Sequence, residues 1–478
     1  MLPASRFCPA LPARRGGLAV LALAAGLLAG CASPAVPRLP TAGLPAGWAH
    51  APATPPGAAA PALQSWWKNL GDARLDALVD EALAQNLDVA VARSRLRQAR
   101  RLAERSNAPY LPSVSGNVRT LQDVSATDSF LHASLDVSWE LGLFGMRESA
   151  QRLARAELDS SEAALQAARV SVVSEVVHQY LTLRAAQRQA ELLDHLLRLD
   201  GRAIDLSAAR LRSRVAENGE DEEAAARRSR TAAMLPTARQ AAVQASQALS
   251  VLLGRAAPDA AWSEAAALPT LGPVAIDQLP ADLLRTRPDV RQAEAAVLQA
   301  AGEAGVAQAE LYPRVSFGAS FLYAFNITQN RRTSSNQVPA VGPFIDLPLF
   351  DWGQRRARAD AKDEALQASL LSYRQTVLQG VSEAEVALSA LEQQRERLAR
   401  LTDASAAQKR RARSQRSLLA SGLASEYEQL AFDRAALQAE AERSGAQAAQ
   451  ALAFVDLYKA LGGAPLPAAE QVSQDGPR

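Results

Sequence analysis

Five acids fall within seven residues, Glu217, Glu220, Asp221, Glu222 and Glu223, and a second, smaller group, Glu426 and Glu428, stands about two hundred residues on. Carboxylates crowded in this way draw cations into a narrow mouth when low-dielectric walls focus their field. Arg210, Arg212, Arg227, Arg228 and Arg230 lie on the same stretches, and pairing with them would leave a solvated, nearly neutral collar instead. Which of the two holds depends on what the surrounding elements build. Catalytic chemistry finds no comparable cluster. The four histidines, His50, His132, His178 and His195, never fall at a spacing that lets two share an ion. Gly302 and Gly305 sit in an Ala-rich helical stretch rather than after a strand, so they read as close helix packing and not as a phosphate loop. No serine nucleophile motif occurs, and the expectation is a protein that is not an enzyme and holds no metal or cofactor.

The chain has 2 cysteines, and one is placed for covalent chemistry. Arg14 and Arg15 precede an apolar run, Leu18 to Leu28, too short to span a bilayer as a mature helix and of the length of a signal-peptide core. The run ends in Leu28-Ala29-Gly30-Cys31, which resembles the bacterial lipobox: small residues admit the signal peptidase, and Cys31 becomes the lipidated N-terminus. Ala32 replaces the Asp that retains lipoproteins in the inner membrane, which implies the outer one. Cys8 leaves with the signal, so no disulfide is available. Of 52 basic and 50 acidic residues, losing Arg6, Arg14 and Arg15 leaves 49 against 50, a balance that gives no argument for nucleic acid. Residues 1–30 thus read as signal peptide and 31–61 as a lipid-anchored strap rich in Pro and Ala.

The elements that must position these groups repeat. Asn86-Leu87-Asp88-Val89 and Tyr110-Leu111-Pro112 recur as Arg287-Pro288-Asp289-Val290 and Leu311-Tyr312-Pro313, offset by 201 (88 to 289). Leu143-Phe144-Gly145 and Leu249 to Gly254 recur as Asp351-Trp352-Gly353 and Leu457 to Gly462, offset by 208 (145 to 353). The register changes once, by seven residues, between Ser115 and Leu143. That interval carries strand signals: Leu131, Ala133, Leu135, Val137 and Trp139 alternate with polar residues, and Val315, Phe317, Ala319, Phe321, Tyr323, Phe325 and Ile327 do the same. Each half supplies one hairpin of roughly ten-residue strands, long enough to cross an outer membrane when tilted. The tips fall at Ser125 to Asp128 and Asn330 to Asn336. Four strands cannot close a barrel, so two, three or four copies must complete it.

Outside the hairpins the chain is helical. Met146 to Asp200 contains neither Gly nor Pro and would form a rod of roughly 80 Å; Val381 to Ser421 is its counterpart. Leu183, Ala190, Leu197, Ile204 and Leu211 are spaced by seven, as are Leu158, Leu165 and Val172, with a four-residue slip between the series. The domain reading is repeat 1 over 62–270, repeat 2 over 271–465, and a tail over 466–478.

These segments resemble the TolC-type outer membrane efflux proteins, in particular the NodT-like lipoprotein subfamily paired with RND pumps. Trp66-Trp67, Leu75 to Val79, Ala82 to Asp88, Leu283 to Val290, Tyr312-Pro313 and Leu457 to Gly463 carry the resemblance. It implies a trimer, four strands per chain closing a twelve-stranded membrane β-barrel on a twelve-helix, coiled-coil periplasmic tunnel. It further implies a periplasmic adaptor and an inner-membrane RND transporter as partners, and passive conduction of drugs or other small molecules across the outer membrane. The alternative is the duct of a type I protein secretion system. Relatives carry a Gly in the turn between the long helices; Gly422 keeps it, and Arg214 stands 208 earlier. Leu418 and Leu419 replace an Arg and Tyr of relatives' closed apertures, and Ala431 an Asp. With the acids above, expected to form an acidic, cation-selective entrance rather than a neutral collar, Arg214, Leu418 and Leu419 are the candidate gate residues.

Overall fold

The computed structural model describes residues 39, 47–50, 62–122, 128–215, 219–272, 286–332 and 340–464. The stretches read as signal peptide and tail, Cys31, most of the residues read as a strap, Glu217 and most of both expected hairpin tips lie outside the described residues. The chain divides into two compact units: Met1–Pro40, Gln98–Ser160 and Ala293–Ser372 in one, and Thr41–Arg97, Ser161–Gln292 and Tyr373–Arg478 in the other. Each unit draws on both halves of the sequence.

The first unit is built on an antiparallel sheet. Strands β1 (Ser113–Gln122), β2 (Ser129–Glu140) and β3 (Arg314–Asn326) lie side by side, and β4 (Arg331–Arg332) and β5 (Ala340–Asp346) both pair with β3. In the first hairpin the numbers of paired residues total 251 (Val114 with Val137), and in the second, along β5, they total 660 (Val315 with Ile345). The difference, 409, is the two repeat offsets, 201 and 208, taken together, so the duplication seen in the sequence is a duplication of hydrogen-bond register. The last strand departs from expectation. Its described parts, β4 totalling 657 with β3 and β5 totalling 660, differ in register by three. β5 tolerates Pro343 because it is paired on one side only among the described residues.

Helices α1 (Ala73–Gln85), α2 (Leu87–Glu104), α3 (Met146–Arg212), α4 (Glu220–Leu252), α5 (Pro288–Ala309), α6 (Gln354–Ala420) and α7 (Glu426–Ala460) make up most of the rest. α3 and α6 each have 67 residues, begin 208 apart and end 208 apart, and are about 100 Å long. Both outrun the rods read from the sequence, which stopped at Asp200 and began at Val381. Gly201 and Gly380 lie inside them, and a glycine costs about 1 kcal/mol, too little to end a helix of this length. The seam loosens along α3: Leu183 is 2 % exposed and Leu211 41 %. In the second unit Trp66 is fully buried, stacked on Tyr458 with ring centroids 5.4 Å apart, and its Nε1 donates to the Gly463 carbonyl at 3.0 Å. No described helix is long and apolar enough to cross a membrane.

Candidate functional site

The sheet sorts its side chains as the alternation in the sequence requires. Leu131, Leu135 and Trp139 of β2 stand opposite Phe325, Phe321 and Phe317 of β3, and the Trp139 and Phe317 rings lie 6.0 Å apart. On the other face Asp136 accepts hydrogen bonds from Ser320 Oγ at 2.6 Å, Ser134 Oγ at 2.8 Å and Asn117 Nδ2 at 3.0 Å. Three strands thus contribute donors to one carboxylate. The polar face is not uniform: Phe130, Leu322 and Ala324 share its parity toward the β2–β3 end near Asn326, and Phe344 lies over Gly318, where an added Cβ would come within 2.5 Å of the ring.

The candidate gate residues lie at the turns after α3 and α6. Each turn closes with the same pair of hydrogen bonds: Arg214 N–H to Leu211 O and Val215 N–H to Arg210 O in one, Gly422 N–H to Leu419 O and Leu423 N–H to Leu418 O in the other. Arg214 and Gly422 both adopt the left-handed conformation, at φ 55° and 71°. Leu418 is 44 % exposed and Leu423 76 %.

Glu220, Asp221, Glu222 and Glu223 occupy the first turn of α4, where unsatisfied N–H groups and the helix dipole favour negative charge. Arg210 pairs with Glu220 at 3.3 Å and Arg227 with Glu223 at 2.6 Å. Arg202 grips Glu426 through Nε and Nη2 at 2.8 and 2.9 Å, which holds that carboxyl below its ordinary range. Glu428 closes a capping box with Ser425, whose backbone N–H bonds its carboxylate and depresses its pKa. Asp221 and Glu222 are the two of these six without a side-chain partner among the described residues.

Beyond the turns runs a ladder of charge that the sequence reading missed. Arg416 bonds Asp433 at 2.8 Å, and Lys409 bonds Glu440 at 2.7 Å; both pairs total 849, the signature of a helical hairpin folded in the turn after α6, about a point between Ala424 and Ser425. Glu440 also takes bonds from Arg443 and from Ser405, and Arg443 chiefly, against the opposing effect of burial, brings its pKa down to about 2. Asp200, 2 % exposed, joins three helices, accepting from Thr231 Oγ1 at 2.8 Å and Arg434 Nε at 2.9 Å. Counting outward from each turn would have found the first two pairs; Arg434 and Asp200 are 234 residues apart and leave no local signal.

The two motifs offset by 201 prove to be clamps. Asn86 Nδ2 donates to the carbonyl of Leu252, the last residue of α4, at 2.9 Å, and Arg287 Nη1 donates to that of Ala460, the last of α7. Gly254 and Gly462 follow with positive φ, and an added Cβ would lie 3.1 Å from the Gln85 carbonyl oxygen and 3.2 Å from Arg287 Cα. Arg287 also donates to Asp289 at 3.0 and 2.6 Å and to Glu383 at 2.7 Å; burial lowers its pKa, and the two carboxylates outweigh that and raise it.

A sheet with one apolar and one polar face, carried by a chain whose long helices fold back in pairs, defines the class of outer-membrane channels with helical ducts. The chain belongs to the outer membrane efflux protein family, whose profile matches residues 78–255 and 279–463. It is 30% identical over 468 residues to the pyoverdine export outer membrane protein OpmQ of Pseudomonas putida, covering 93% of this chain and 97% of that one. Nodulation protein T of Rhizobium leguminosarum bv. viciae is 27% identical over 336 residues, 69% of this chain and 70% of its own. The solved outer-membrane channel OprN superposes with a TM-score of 0.79 at 28% identity, over 91% of this chain and all of its own. The protein is the outer-membrane channel component of an efflux pump, a duct with its larger part in the periplasm.

Proposed function

We propose that three lipid-anchored copies close a twelve-stranded barrel over a helical tunnel and pass small molecules outward from a periplasmic adaptor and an inner-membrane RND transporter. The observation that carries it is the sheet, whose β1 and β5 are each paired on one side only among the described residues. Open edges in lipid leave backbone groups unsatisfied, so each edge requires another copy. The export of pyoverdine by the relative OpmQ supports a small-molecule cargo.

The repeat specifies how copies meet. Inside the chain β2 pairs with β3 at a total of 456, as in Leu135 with Phe321. Moving β2 on by 208 gives β5 and moving β3 back by 201 gives β1, so β5 meets the next copy's β1 at 463, which sets Ile345 opposite Val118 of the partner subunit. The exposed residues agree. Phe144 stacks on Tyr312 at 5.0 Å within the chain, while Trp352 and Leu111, their counterparts by the same offsets, are 90 % and 51 % exposed. At the turns, Asp221 and Glu222 supply the charge of the entrance. Glu220, Glu223, Glu426 and Glu428 are compensated within the chain, and Arg214, Leu418 and Leu419 border the opening.

Cysteines at Ile345 and Val118 should give disulfide-linked trimers on non-reducing gels, and the pair Ile345→Cys with Thr120→Cys should not, because a two-residue slip puts Cα atoms beyond disulfide reach. The trimers should conduct in planar bilayers, with a cation preference reduced by Asp221→Asn and Glu222→Gln. Linked dimers without higher species, or purified trimers that do not conduct, sink the proposal.

A further inference from the structure

The N-terminal strap re-enters the described structure at residues 47–50, and its backbone there converges on one side chain. The Ala49 N–H donates to Glu385 Oε1 at 2.8 Å, the His50 N–H donates to Oε2 at 3.2 Å, and His50 Nδ1 lies 2.9 Å from Oε2. Two consecutive N–H groups and an imidazole on one carboxylate form a peptide cradle for an anion. Burial raises the Glu385 pKa, and the bonds from Ala49 and His50 outweigh it and hold the carboxyl below its ordinary value, so the acceptor is charged.

Comparison of the halves singles Glu385 out. The position 208 earlier is Val177, fully buried. The helix is duplicated, and the carboxylate occurs in the copy that the described strap residues meet. The Glu385 side chain is 19 % exposed, while Leu378, two turns earlier on the same face of α6, and the adjacent Val386 are 52 % and 67 % exposed, so the carboxylate is sheltered beside exposed neighbours.

We infer that Glu385 is a docking site for the strap, a latch that fixes the N-terminal segment to α6 ahead of its second fixed point at Trp66. The consequence rests on the lipid-anchor reading. From Cys31 to Trp66 the chain has 35 residues and reaches about 120 Å when extended; from Cys31 to Ala49 it has 18 and reaches about 60 Å. The latch halves the free tether, and pull on the lipid is delivered to α6, whose last turn carries Leu418 and Leu419, rather than to the Trp66 cluster.

Hydrogen exchange of the full-length, detergent-purified protein tests the latch, read on peptides that contain Ala49 and His50. These amides should be protected in the wild type. Glu385→Ala should raise their exchange by about tenfold or more, as expected for losing bonds to a charged acceptor, and leave the exchange of α6 and the oligomer mass unchanged. Glu385→Gln, which keeps a neutral acceptor, should give a smaller rise. His50→Ala, confined to the exposed strap, cannot unfold the body and should remove only the imidazole arm. Wild-type amides exchanging at the rate of unstructured peptide, or a rate that Glu385→Ala leaves unchanged, overturns the inference. Conductance of the same samples reports separately on the channel.

Discussion

The turn after α3 and the turn after α6 trace one backbone 208 residues apart, yet Arg214 takes the left-handed position in the first and Gly422 takes it in the second. The same contrast recurs along both halves. Asn86 and Arg287 clamp equivalent helix ends, one with a neutral amide and one with a guanidinium tied to two carboxylates. Glu440 gathers three donors where Ala232, 208 earlier, is an exposed alanine. At these positions duplication preserved the backbone geometry while the side chains and their charge diverged, the second half carrying the guanidinium clamp and the Glu440 cluster. Charge can be added at a fixed backbone position only where partners converge to repay desolvation, and those partners come from distant segments.

The clamps give the widest predicted gap between the halves. Arg287→Ala removes a buried guanidinium and its bonds to Asp289, Glu383 and the Ala460 carbonyl; the carboxylates left behind are 47 % and 59 % exposed and rehydrate, so the loss is about 2–3 kcal/mol. Asn86→Ala removes the bond to Leu252 and the cap that accepts the Asp88 and Val89 N–H groups, about 1–2 kcal/mol. The thermal midpoint of the helical signal should fall markedly for the first and modestly for the second. Equal losses would show that the clamps owe their strength to shape rather than charge.

Glu440 sharpens the contrast through pH. Its carboxyl titrates near 2 when folded, below the ordinary 4.5, so its stabilisation is fully present above about pH 5 and is lost as pH falls toward 2. The shift corresponds to about 2–3 kcal/mol, less than its full face value because Lys409 and Arg443 stay partly in water. Glu440→Gln should lower the midpoint at neutral pH and flatten its fall between pH 5 and 2. Ala232→Glu in the other half should change neither. Acid melting curves of the three proteins provide the check.

Much of this architecture was legible because a repeat is a geometric statement. The offsets 201 and 208 fixed the second hairpin's register once the first was known, and the Leu131 to Trp139 alternation gave the faces that Asp136 and Phe321 now mark. What was not legible depends on where distant segments meet. The Glu385 latch uses backbone donors, which every residue has, across 335 and 336 positions. Arg434 meets Asp200 only because three helices pass one point. The three-residue change of register between β4 and β5 has no periodic signature. The acidic cluster was legible as composition but not as electrostatics, since helix starts collect acids for their own stability.

The smallest effect isolates the backbone from the charge. Arg214 at φ 55° bears the strain of a Cβ in the left-handed region, whereas Gly422 at 71° does not. An added Cβ at Gly422 would meet nothing within 4 Å, so Gly422→Ala should cost about 1 kcal/mol through conformation alone. Arg214→Gly relieves the same strain and gives back part of it as the greater freedom of glycine in the unfolded chain, for a net gain of about 0.5 kcal/mol. The double change, Arg214→Gly with Gly422→Ala, should then melt close to the wild type, within the scatter expected of independent sites. The comparison between the turns breaks if Arg214→Gly lowers the midpoint. That result would mean the guanidinium holds a contact in the assembled channel worth more than the strain its backbone bears, and Arg214 would then be placed by function rather than tolerated by the turn.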